Sequence, residues 1–221
     1  MSFSLNQSYK EWKLSWQQVL HDQSFWRSTV WGLVLFGLSV VVATFANTYA
    51  TAHLGAPVGD IILSNIPSMN VYVFYVYGPI VLLGVAVFAL IRWPKEIPLA
   101  IKVWSIFVIV RACSVCLTHL GLPAGEVVPQ NIPPLLKRYF FGGDLFFSGH
   151  VGMPLIIGFA FWTHKWFRIF LIASAIFLGF VVLAGHYHYS MDVFGAIFIT
   201  PVIFQIACKM FPKDYKRARN S

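Results

Sequence analysis

Residues 167–187 read FRIFLIASAIFLGFVVLAGHY, an apolar run in which Arg168 is the one residue that is charged at neutral pH. A transmembrane helix needs about 20 mainly apolar residues to cross roughly 30 Å of hydrocarbon. The run therefore predicts a membrane-spanning helix. It leads directly into GHYHYSMD at residues 185–192, which places two histidines and a carboxylate at the end of that helix.

The whole chain is apolar in the same way. Of its 221 residues, 58% are hydrophobic and 11% are charged, and the mean hydropathy is +0.71. A soluble domain of this composition would have too few polar side chains to cover its surface. Further apolar windows lie at about 29–50, 70–91, 99–120, 145–163 and 190–210. The sequence therefore predicts an all-α integral membrane bundle of six transmembrane helices, with one catalytic domain at residues 29–211.

Both ends of the chain are predicted to lie outside this bundle. In residues 1–28, apolar and aromatic side chains recur at helical spacing, at Tyr9, Trp12, Trp16, Val19 and Leu20. The pattern is typical of an amphipathic helix in the membrane interface, although a helix that packs against the bundle would show it too. Residues 212–221 form a basic tail.

Lysines and arginines concentrate on one side of the predicted bundle. Thirteen fall on the side of the two termini, and two, Lys137 and Arg138, fall on the other. Cytoplasmic loops carry such an excess, so both termini are expected in the cytoplasm. The net charge of +8 then reflects topology and anionic lipids, and no nucleic-acid partner is expected. The thirteen are Lys10, Lys13, Arg27, Arg92, Lys95, Lys102, Lys165, Arg168, Lys209, Lys213, Lys216, Arg217 and Arg219.

Arg111 is the remaining basic residue, and it lies in the middle of the third predicted span. A charged side chain at that depth costs at least about 2.5–3.5 kcal/mol on insertion scales. It must therefore face a partner or a watery cavity. One interpretation is an internal ion pair, with Glu126 or an aspartate, and the second is a ligand for a substrate anion.

Two polar clusters interrupt the apolar background, GGDLFFSGH at residues 142–150 and GHYHYSMD at residues 185–192. With six spans and both termini inside, both clusters fall on the extracytoplasmic side. His188 and Asp192 are four residues apart, so they would stack on one face of a helix that begins near Tyr187. A carboxylate there keeps one imidazole nitrogen protonated and leaves the second nitrogen's lone pair free to attack or to take a proton.

The first cluster supplies a second imidazole and an anion site. His150 follows Ser148 and Gly149 at the predicted start of a helix, where free amides bind anions and a serine hydroxyl caps the first turn. A nucleophilic imidazole, an imidazole that protonates the leaving group and an anion site together suit phosphoryl transfer through a phosphohistidine, without a cofactor. The phosphate oxygens would be neutralised by the nearby cations Arg111, Lys137 or Arg138.

These clusters resemble the two signature blocks of the sphingomyelin synthase branch of the type 2 phosphatidic acid phosphatase superfamily, which run GDxxFSGH and AHxHYTxD. The resemblance extends to the six-span plan, to the extracytoplasmic active side and to an arginine in the third span, within VRACSVCLTHLG. It implies that His188 is the nucleophile, that Asp192 orients it and that His150 protonates the departing alcohol. It also implies three pocket residues, Asp144, Ser148 and His186.

The chain departs from that pattern in two places. Ser190 stands where the branch has threonine, and the residues before His188 differ from its Ala-His-acidic stretch. The phosphatases of the superfamily carry a K-x6-R-P block and an SR pair that hold a phosphomonoester dianion. Neither is present here, and Val181 and Val182 occupy the SR place. One buried arginine suits a phosphodiester with a single negative charge better.

The resemblance therefore implies a phospholipid headgroup phosphotransferase or a phospholipase C-type enzyme. The substrate would be of the phosphatidylcholine or phosphatidylethanolamine type, and the acceptor would be ceramide, diacylglycerol, another lipid alcohol or water. Three further interpretations stay open. The substrate could be a phosphomonoester or isoprenyl pyrophosphate; His150, His186, His188 and Asp192 could bind zinc or iron in a metal-dependent hydrolase; or the chain could be a lipid transporter that uses Arg111 and the histidines as a relay.

Overall fold

The computed structural model describes residues 2–126, 133 and 140–220, and these residues form helices and connections but no strands. A short 3-10 turn lies at Pro94–Glu96. The prediction of an all-helical chain is confirmed for this part of the sequence. The eight α-helices in it are α1 Ser2–Leu20, α2 Gln23–Ala52, α3 Tyr72–Arg92, α4 Ile97–Leu117, α5 Gly149–Ala160, α6 Lys165–Ala184, α7 Ser190–Met210 and α8 Pro212–Arg219.

Five of these helices are long and apolar enough to cross a membrane, namely α2, α3, α4 with its preceding 3-10 turn, α6 and α7. They support a multi-pass membrane protein. The fourth predicted span, residues 145–163, contains the shorter helix α5, whose 12 residues are about 18 Å long. His150 lies beside the first turn of α3, whereas His164 lies beside Glu96 beyond its last turn. The segment therefore runs between the two ends of the bundle, and a sixth membrane crossing stays a prediction.

Helix boundaries follow from capping residues and prolines. Asp22 accepts a hydrogen bond from the Ser24 amide at 2.8 Å, which satisfies a free N–H at the start of α2. This cap begins the helix at Gln23, six residues before the predicted span. Pro94 ends α3, and Pro98 lies in the first turn of α4, where a missing N–H breaks no helical bond.

The bundle buries its most apolar side chains around α5. This helix packs against α4, α6 and α7, and α2 lies along α4. Nine of the 12 residues of α5 are buried, and the core around it includes Phe107, Leu171 and Leu178. Non-helical backbone within a membrane protein is tolerated where protein surrounds it. The short length of α5 is therefore compatible with its central position.

The N-terminal helix α1 is tied to the bundle by two tryptophans. The indole N–H groups of Trp12 and Trp16 both donate to the carbonyl of Ile91, each at 2.9 Å. Ile91 belongs to the last turn of α3. These contacts fit a helix that packs against the bundle, and its placement in the membrane interface stays a prediction.

At the same end of the bundle, buried charges join α2, α4 and α8. Lys102 Nζ lies 2.7 Å from Asp214 Oδ2, and the two side chains are 8% and 7% exposed. The Ser28 hydroxyl also donates to the Asp214 carboxylate at 2.7 Å. Arg217 pairs with Asp214 and with Asp22, each at 3.0 Å. The basic tail is therefore a helix that packs onto the bundle, and its cytoplasmic location stays a prediction.

We expect Asp214→Asn to lower the free energy of unfolding by about 3–5 kcal/mol, because it leaves the buried Lys102 ammonium without its carboxylate. The measurement is the thermal unfolding midpoint of purified protein in detergent. Asp22→Asn is the matched control, since Asp22 is 40% exposed, its ion pair contributes at most about 1 kcal/mol and asparagine keeps the helix cap. Equal midpoints for the two variants would contradict this account.

Candidate active site

The polar clusters lie together at the opposite end of the bundle, which we call the site end. The Gly143 amide donates to the Thr51 hydroxyl at 3.1 Å, which ties the first cluster to the end of α2. The Met69 amide donates to the Ala184 carbonyl at 2.7 Å, which ties the loop before α3 to the end of α6. Residues more than one hundred positions apart therefore meet here, as the alternation of the predicted spans requires.

His188 and Asp192 form a buried pair. His188 Nδ1 lies 3.0 Å from Asp192 Oδ2, and the side chains are 3% and 0% exposed. The helix begins at Ser190, so the prediction of a start near Tyr187 is wrong, and His188 lies just before the helix. Asp192 still reaches the ring because it occupies the third helical position, where the same oxygen accepts the Tyr189 amide at 3.1 Å. The carboxylate therefore fixes a proton on Nδ1 and leaves Nε2 with a lone pair.

His150 lies next to this pair and is held by Tyr75. Its Nε2 lies 3.0 Å from the Tyr75 carbonyl oxygen, so Nε2 carries a proton that it donates there. The His150 ring stacks on the Tyr75 ring at 4.3 Å and meets the His188 ring edge-on, with 5.9 Å between centroids. Nδ1 is therefore the nitrogen that is left for acid–base chemistry. The two candidate catalytic imidazoles are neighbours, although 37 residues separate them in the chain.

A backbone hydrogen bond joins the two clusters directly, since the Ser148 amide donates to the Asp192 carbonyl at 2.9 Å. The backbone within both clusters is strained. Among the described residues, the non-glycine residues with positive φ are Phe146, Phe147 and His186, at 73°, 25° and 54°. All three belong to the two clusters. Such conformations cost about 1–3 kcal/mol each and concentrate at functional sites.

Arg111 forms an ion pair with Asp144, with 2.7 Å between Nη1 and Oδ2. The interpretation as an internal pair is therefore correct for an aspartate and wrong for Glu126. Arg111 Nε also donates to the Phe147 carbonyl at 3.2 Å. The guanidinium lies so close to Gly149 that an added Cβ there would come within 3.1 Å of Cζ. Gly149 thus leaves room for Arg111 against the start of α5.

Ser148 stands at the N-cap position of α5 but does not cap it with its hydroxyl, so that prediction is wrong. Its side chain is fully buried, and Oγ has no hydrogen-bond partner among the described residues. The same is true of Asp192 Oδ1. Buried polar atoms usually have hydrogen-bond partners, so these two atoms are exceptions, and both belong to the two polar clusters.

A cavity of about 740 Å³, which we call the site cavity, lies beside His150 and extends into the bundle. Ligand sites in proteins commonly have volumes of about 300–1,000 Å³. Polar groups lie at one end, and α2, α3, α4 and α5 supply apolar walls below them. At the polar end the lining includes Arg111, Asp144, Gly149 and His150. The cavity therefore suits an amphiphile whose charged part lies beside His150.

His186 faces the loops and does not line this cavity. Its Nδ1 lies 2.8 Å from the Ala124 carbonyl and its Nε2 lies 3.3 Å from the Ile66 carbonyl. The ring is 6% exposed, and Gly125 adopts φ 84° directly against it. His186 therefore links residues 53–71 to residues 118–126, two segments that we call the outer cap. The proposed contact of His186 with substrate stays a prediction.

The outer cap also holds the segment that carries His188. The Asp60 carboxylate accepts the Ser190 amide at 2.6 Å and the Ser190 hydroxyl at 2.8 Å. Partial burial raises the pKa of Asp60, but hydrogen bonds from Ser190, Leu63 and Ile62 outweigh it and lower the pKa below 3.8. Asp60 is therefore an anion at neutral pH and anchors the first residue of α7.

Glu126 is a third carboxylate near the histidines. Burial raises the pKa of Glu126 above 4.5, and the positive charge that His188 can carry lowers it in part. Burial, with Glu126 as a further cause, raises the pKa of Tyr187 to about 12. Glu126 is therefore within electrostatic range of His188 and Tyr187. The two predicted cations Lys137 and Arg138 lie outside the described residues.

Residues 142–209 match the family model described as PAP2 superfamily C-terminal. The matched range contains both motif clusters and runs from the first cluster to the last turn of α7. It supports the type 2 phosphatidic acid phosphatase superfamily, and with it a lipid enzyme of the phosphatase or phosphotransferase type. Comparison with curated proteins and with solved structures found no match.

The sequence alone does not identify three residues of this site. Tyr75 lies in an apolar helix without a motif, and only the fold places it against His150. Asp60 was visible as a lone carboxylate in a loop rich in glycine and proline, which is a weak signal for a structural anchor. The sequence indicates Glu126 only as a candidate partner of Arg111. The electrostatic interaction of Glu126 with His188 depends on how the loop returns to the bundle.

We expect the pH profile of lipid turnover to show the titration of Glu126. The pKa of Glu126 is raised above 4.5. As the pH falls, the carboxyl group therefore gains its proton while the pH is still above 4.5, and the negative charge near His188 is lost. Glu126→Gln should therefore show at neutral pH the lower rate that the wild type shows in acid. The difference should be on the order of tenfold, equivalent to about 1.4 kcal/mol.

The matched control is Glu11→Gln, because Glu11 is exposed on α1 at the far end of the bundle. Its pH profile should coincide with that of the wild type. Identical profiles for Glu126→Gln and the wild type would rule out an electrostatic role for Glu126 in the reaction.

Proposed function

We propose that this chain is a membrane enzyme that cleaves a phospholipid phosphodiester through a phosphohistidine and passes the headgroup phosphate to a lipid alcohol or to water. The observation that carries the proposal is the buried His188–Asp192 pair beside His150, and it is His150 that lines the polar end of a cavity with apolar walls. The family match supports the general class, and the resemblance of the two clusters supports the sphingomyelin synthase-like branch.

In the first half of the reaction, His188 Nε2 attacks phosphorus while Asp192 holds the proton on Nδ1. The bond between phosphorus and the lipid alcohol oxygen breaks, and His150, which enters the cycle with a proton on each ring nitrogen, gives its Nδ1 proton to that oxygen. The products are diacylglycerol, or the corresponding lipid alcohol, and a phosphohistidine that carries the headgroup. The ion pair between His188 and Asp192 stabilises the positive charge that develops on the ring.

In the second half, the acceptor hydroxyl attacks the phosphohistidine. Its proton passes to His150 Nδ1, the bond between phosphorus and His188 breaks, and both histidines return to their starting states. With ceramide or diacylglycerol as acceptor the enzyme is a transferase, and with water it is a phospholipase C. Both outcomes use the same groups in the same order.

The charge of the site favours a diester over a monoester. Within the described part of the chain, Arg111 is the one lysine or arginine that lines the site cavity, and Asp144 already pairs with it at 2.7 Å. A phosphomonoester dianion would face little net positive charge, whereas a diester monoanion requires less. A phosphatidylcholine or phosphatidylethanolamine type of substrate is therefore favoured, and phosphatidic acid or an isoprenyl pyrophosphate is the second candidate.

A metal-dependent hydrolase and a lipid transporter have less support. The hydrolase would need His186 beside His188, but the His186 ring is held by two loop carbonyls. In the described residues no group of three or more His, Cys, Asp or Glu side chains is arranged to hold a metal ion. A transporter would not need an imidazole that is oriented by a carboxylate. Release of the lipid headgroup in detergent micelles would also argue against a transporter, because micelles sustain no gradient.

We also propose that the site faces the extracytoplasmic side and that both termini lie in the cytoplasm. The asymmetry of lysine and arginine supports this orientation. The buried Lys102 and the half-buried Arg217 lie at the end of the bundle opposite His188, which fits the same assignment.

We expect purified protein to release diacylglycerol from at least one phosphodiester lipid and not from phosphatidic acid. The assay incubates the enzyme with phosphatidylcholine, phosphatidylethanolamine and phosphatidic acid, each with and without ceramide, and follows diacylglycerol and new lipid headgroups. A new ceramide headgroup lipid identifies a transferase, and free phosphoryl headgroup identifies a lipase. Faster turnover of phosphatidic acid than of every diester would support a phosphomonoester substrate instead.

The two histidines should respond differently to the leaving group. His188→Ala and Asp192→Asn should abolish turnover of every substrate while the protein stays folded. In the first half-reaction, measured as the initial burst of the alcohol product, His150→Ala should lose about 10²–10⁴-fold with a natural lipid but much less with p-nitrophenylphosphocholine, whose leaving group needs no proton. Turnover by His188→Ala, or the same loss for His150→Ala with both substrates, would contradict the assigned roles.

A further inference from the structure

A second cavity lies beyond the apolar end of the site cavity. Its volume is about 210 Å³, and all of the described residues that line it are apolar. We call it the lower cavity. Its lining comprises Leu33, Phe36, Leu83, Ala86, Val87, Leu90, Ala100, Ile101, Trp104, Ile156, Ile157, Ala160 and Phe161.

The same four helices line both cavities, and on each helix the lining continues within about one turn. On α2 the site cavity ends at Val40 and the lower cavity begins at Phe36; on α3 the corresponding residues are Pro79 and Leu83. On α5 the step runs from Met153 to Ile156. Three to four residues correspond to about 5 Å of helix. The two cavities are therefore stacked along one path through the bundle.

Trp104 of α4 closes this path. It is the one described residue that lines both cavities. Seven residues, or two helical turns, separate it from Arg111, so it lies about 10 Å below the charged end of the site cavity. Its ring also packs against Phe107, at 6.0 Å between centroids. The indole thus stands as a partition between a cavity with catalytic groups and a smaller, fully apolar one.

We propose that Trp104 sets the acyl-chain length that the enzyme prefers, and that the lower cavity is a continuation of the acyl-chain site which the indole closes. This inference rests on the proposed function, because it places the phosphate of a lipid substrate beside His150 and its chain along the apolar walls. A chain that extends from the charged end meets the indole face. Methylenes beyond that length must then bend away from the indole of Trp104 and gain no further contact within the protein.

The expected effect follows from the burial of methylenes. Each methylene that enters an apolar site increases binding about fourfold. In the wild type, kcat/KM should rise with chain length and level off where the chain reaches Trp104. In Trp104→Ala the lower cavity joins the site cavity, and the rise should continue for several more methylenes. Trp104→Phe should give an intermediate limit, because its ring is smaller.

The test measures kcat/KM in dodecyl maltoside micelles with the best diester of the lipid panel, made with two identical chains of 8 to 18 carbons. Binding is measured in parallel with the uncleavable phosphonate analogues of the same lipids, as the rise in the thermal unfolding midpoint. The expected result is a shift of the optimum to longer chains in Trp104→Ala, by both measurements. The matched control is Trp166→Ala, because Trp166 is 78% exposed and lines neither cavity.

A double variant shows whether the lower cavity is what the longer chain enters. Ala86→Phe places a ring in that cavity, so Trp104→Ala with Ala86→Phe should return to the wild-type optimum. A folded Trp104→Ala protein with an unchanged chain-length profile would overturn the inference, and so would a shift that Ala86→Phe leaves in place.

The outcomes separate this inference from the proposed function. If phosphonate binding shows the Trp104-dependent chain-length limit but no lipid is cleaved, the proposed reaction is wrong and the acyl-chain site stands. If a diester is cleaved with a chain-length profile that ignores Trp104, the reaction stands and the acyl-chain site is wrong.

Discussion

The buried carboxylate of Asp192 is the contact on which the geometry of the site depends. Through one oxygen it holds His188 Nδ1 at 3.0 Å and the Tyr189 amide at 3.1 Å, and its backbone carbonyl accepts the Ser148 amide at 2.9 Å. One residue thus orients the proposed nucleophile, starts α7 and joins the two polar clusters. A fully buried anion is costly unless it is hydrogen-bonded, so these bonds strongly stabilise a single arrangement.

The pairing of Arg111 with Asp144 sets the electrostatic character of the site. An unpaired arginine at membrane depth would be expensive, and Asp144 removes that cost while it leaves the guanidinium at the cavity wall. The pair brings little net charge, so the substrate must be recognised by a directional contact with the guanidinium and not by strong attraction. This distinguishes the site from one that is built to hold a dianion.

The sequence predicted much of this arrangement, and the reasons for success and failure are physical. Apolar windows located five helices that are long enough to cross a membrane, because hydrocarbon thickness fixes their length. The alternation of those windows placed His150 and His188 at one end. The four-residue spacing identified the His188–Asp192 pair even though the helix starts later, at Ser190. These features depend only on the spacing of residues along the sequence and on the number of apolar windows.

What the sequence could not give depends on tertiary packing. Nothing near Tyr75 indicates that its carbonyl fixes the proton on His150 or that its ring supports the imidazole. Ser148 has the residue type and position of a helix cap, yet its amide is taken by Asp192 and its hydroxyl makes no cap bond. The partner of Arg111 also required the fold, because Asp144 and Glu126 were equal candidates by charge.

In the proposed reaction, the outer cap would give water and a lipid alcohol different routes to the phosphohistidine. The Gly121 amide donates to the Ala56 carbonyl, Tyr189 bonds both segments of the cap, and His188 below them is 3% exposed. In the proposed reaction, water would pass this hydrogen-bonded layer, whereas a lipid alcohol would approach along the apolar walls of the site cavity. The lifetime of the closed cap, compared with that of the phosphohistidine, would then decide between synthesis and hydrolysis. Two proteins with identical catalytic side chains would differ in their product according to how often these loops open.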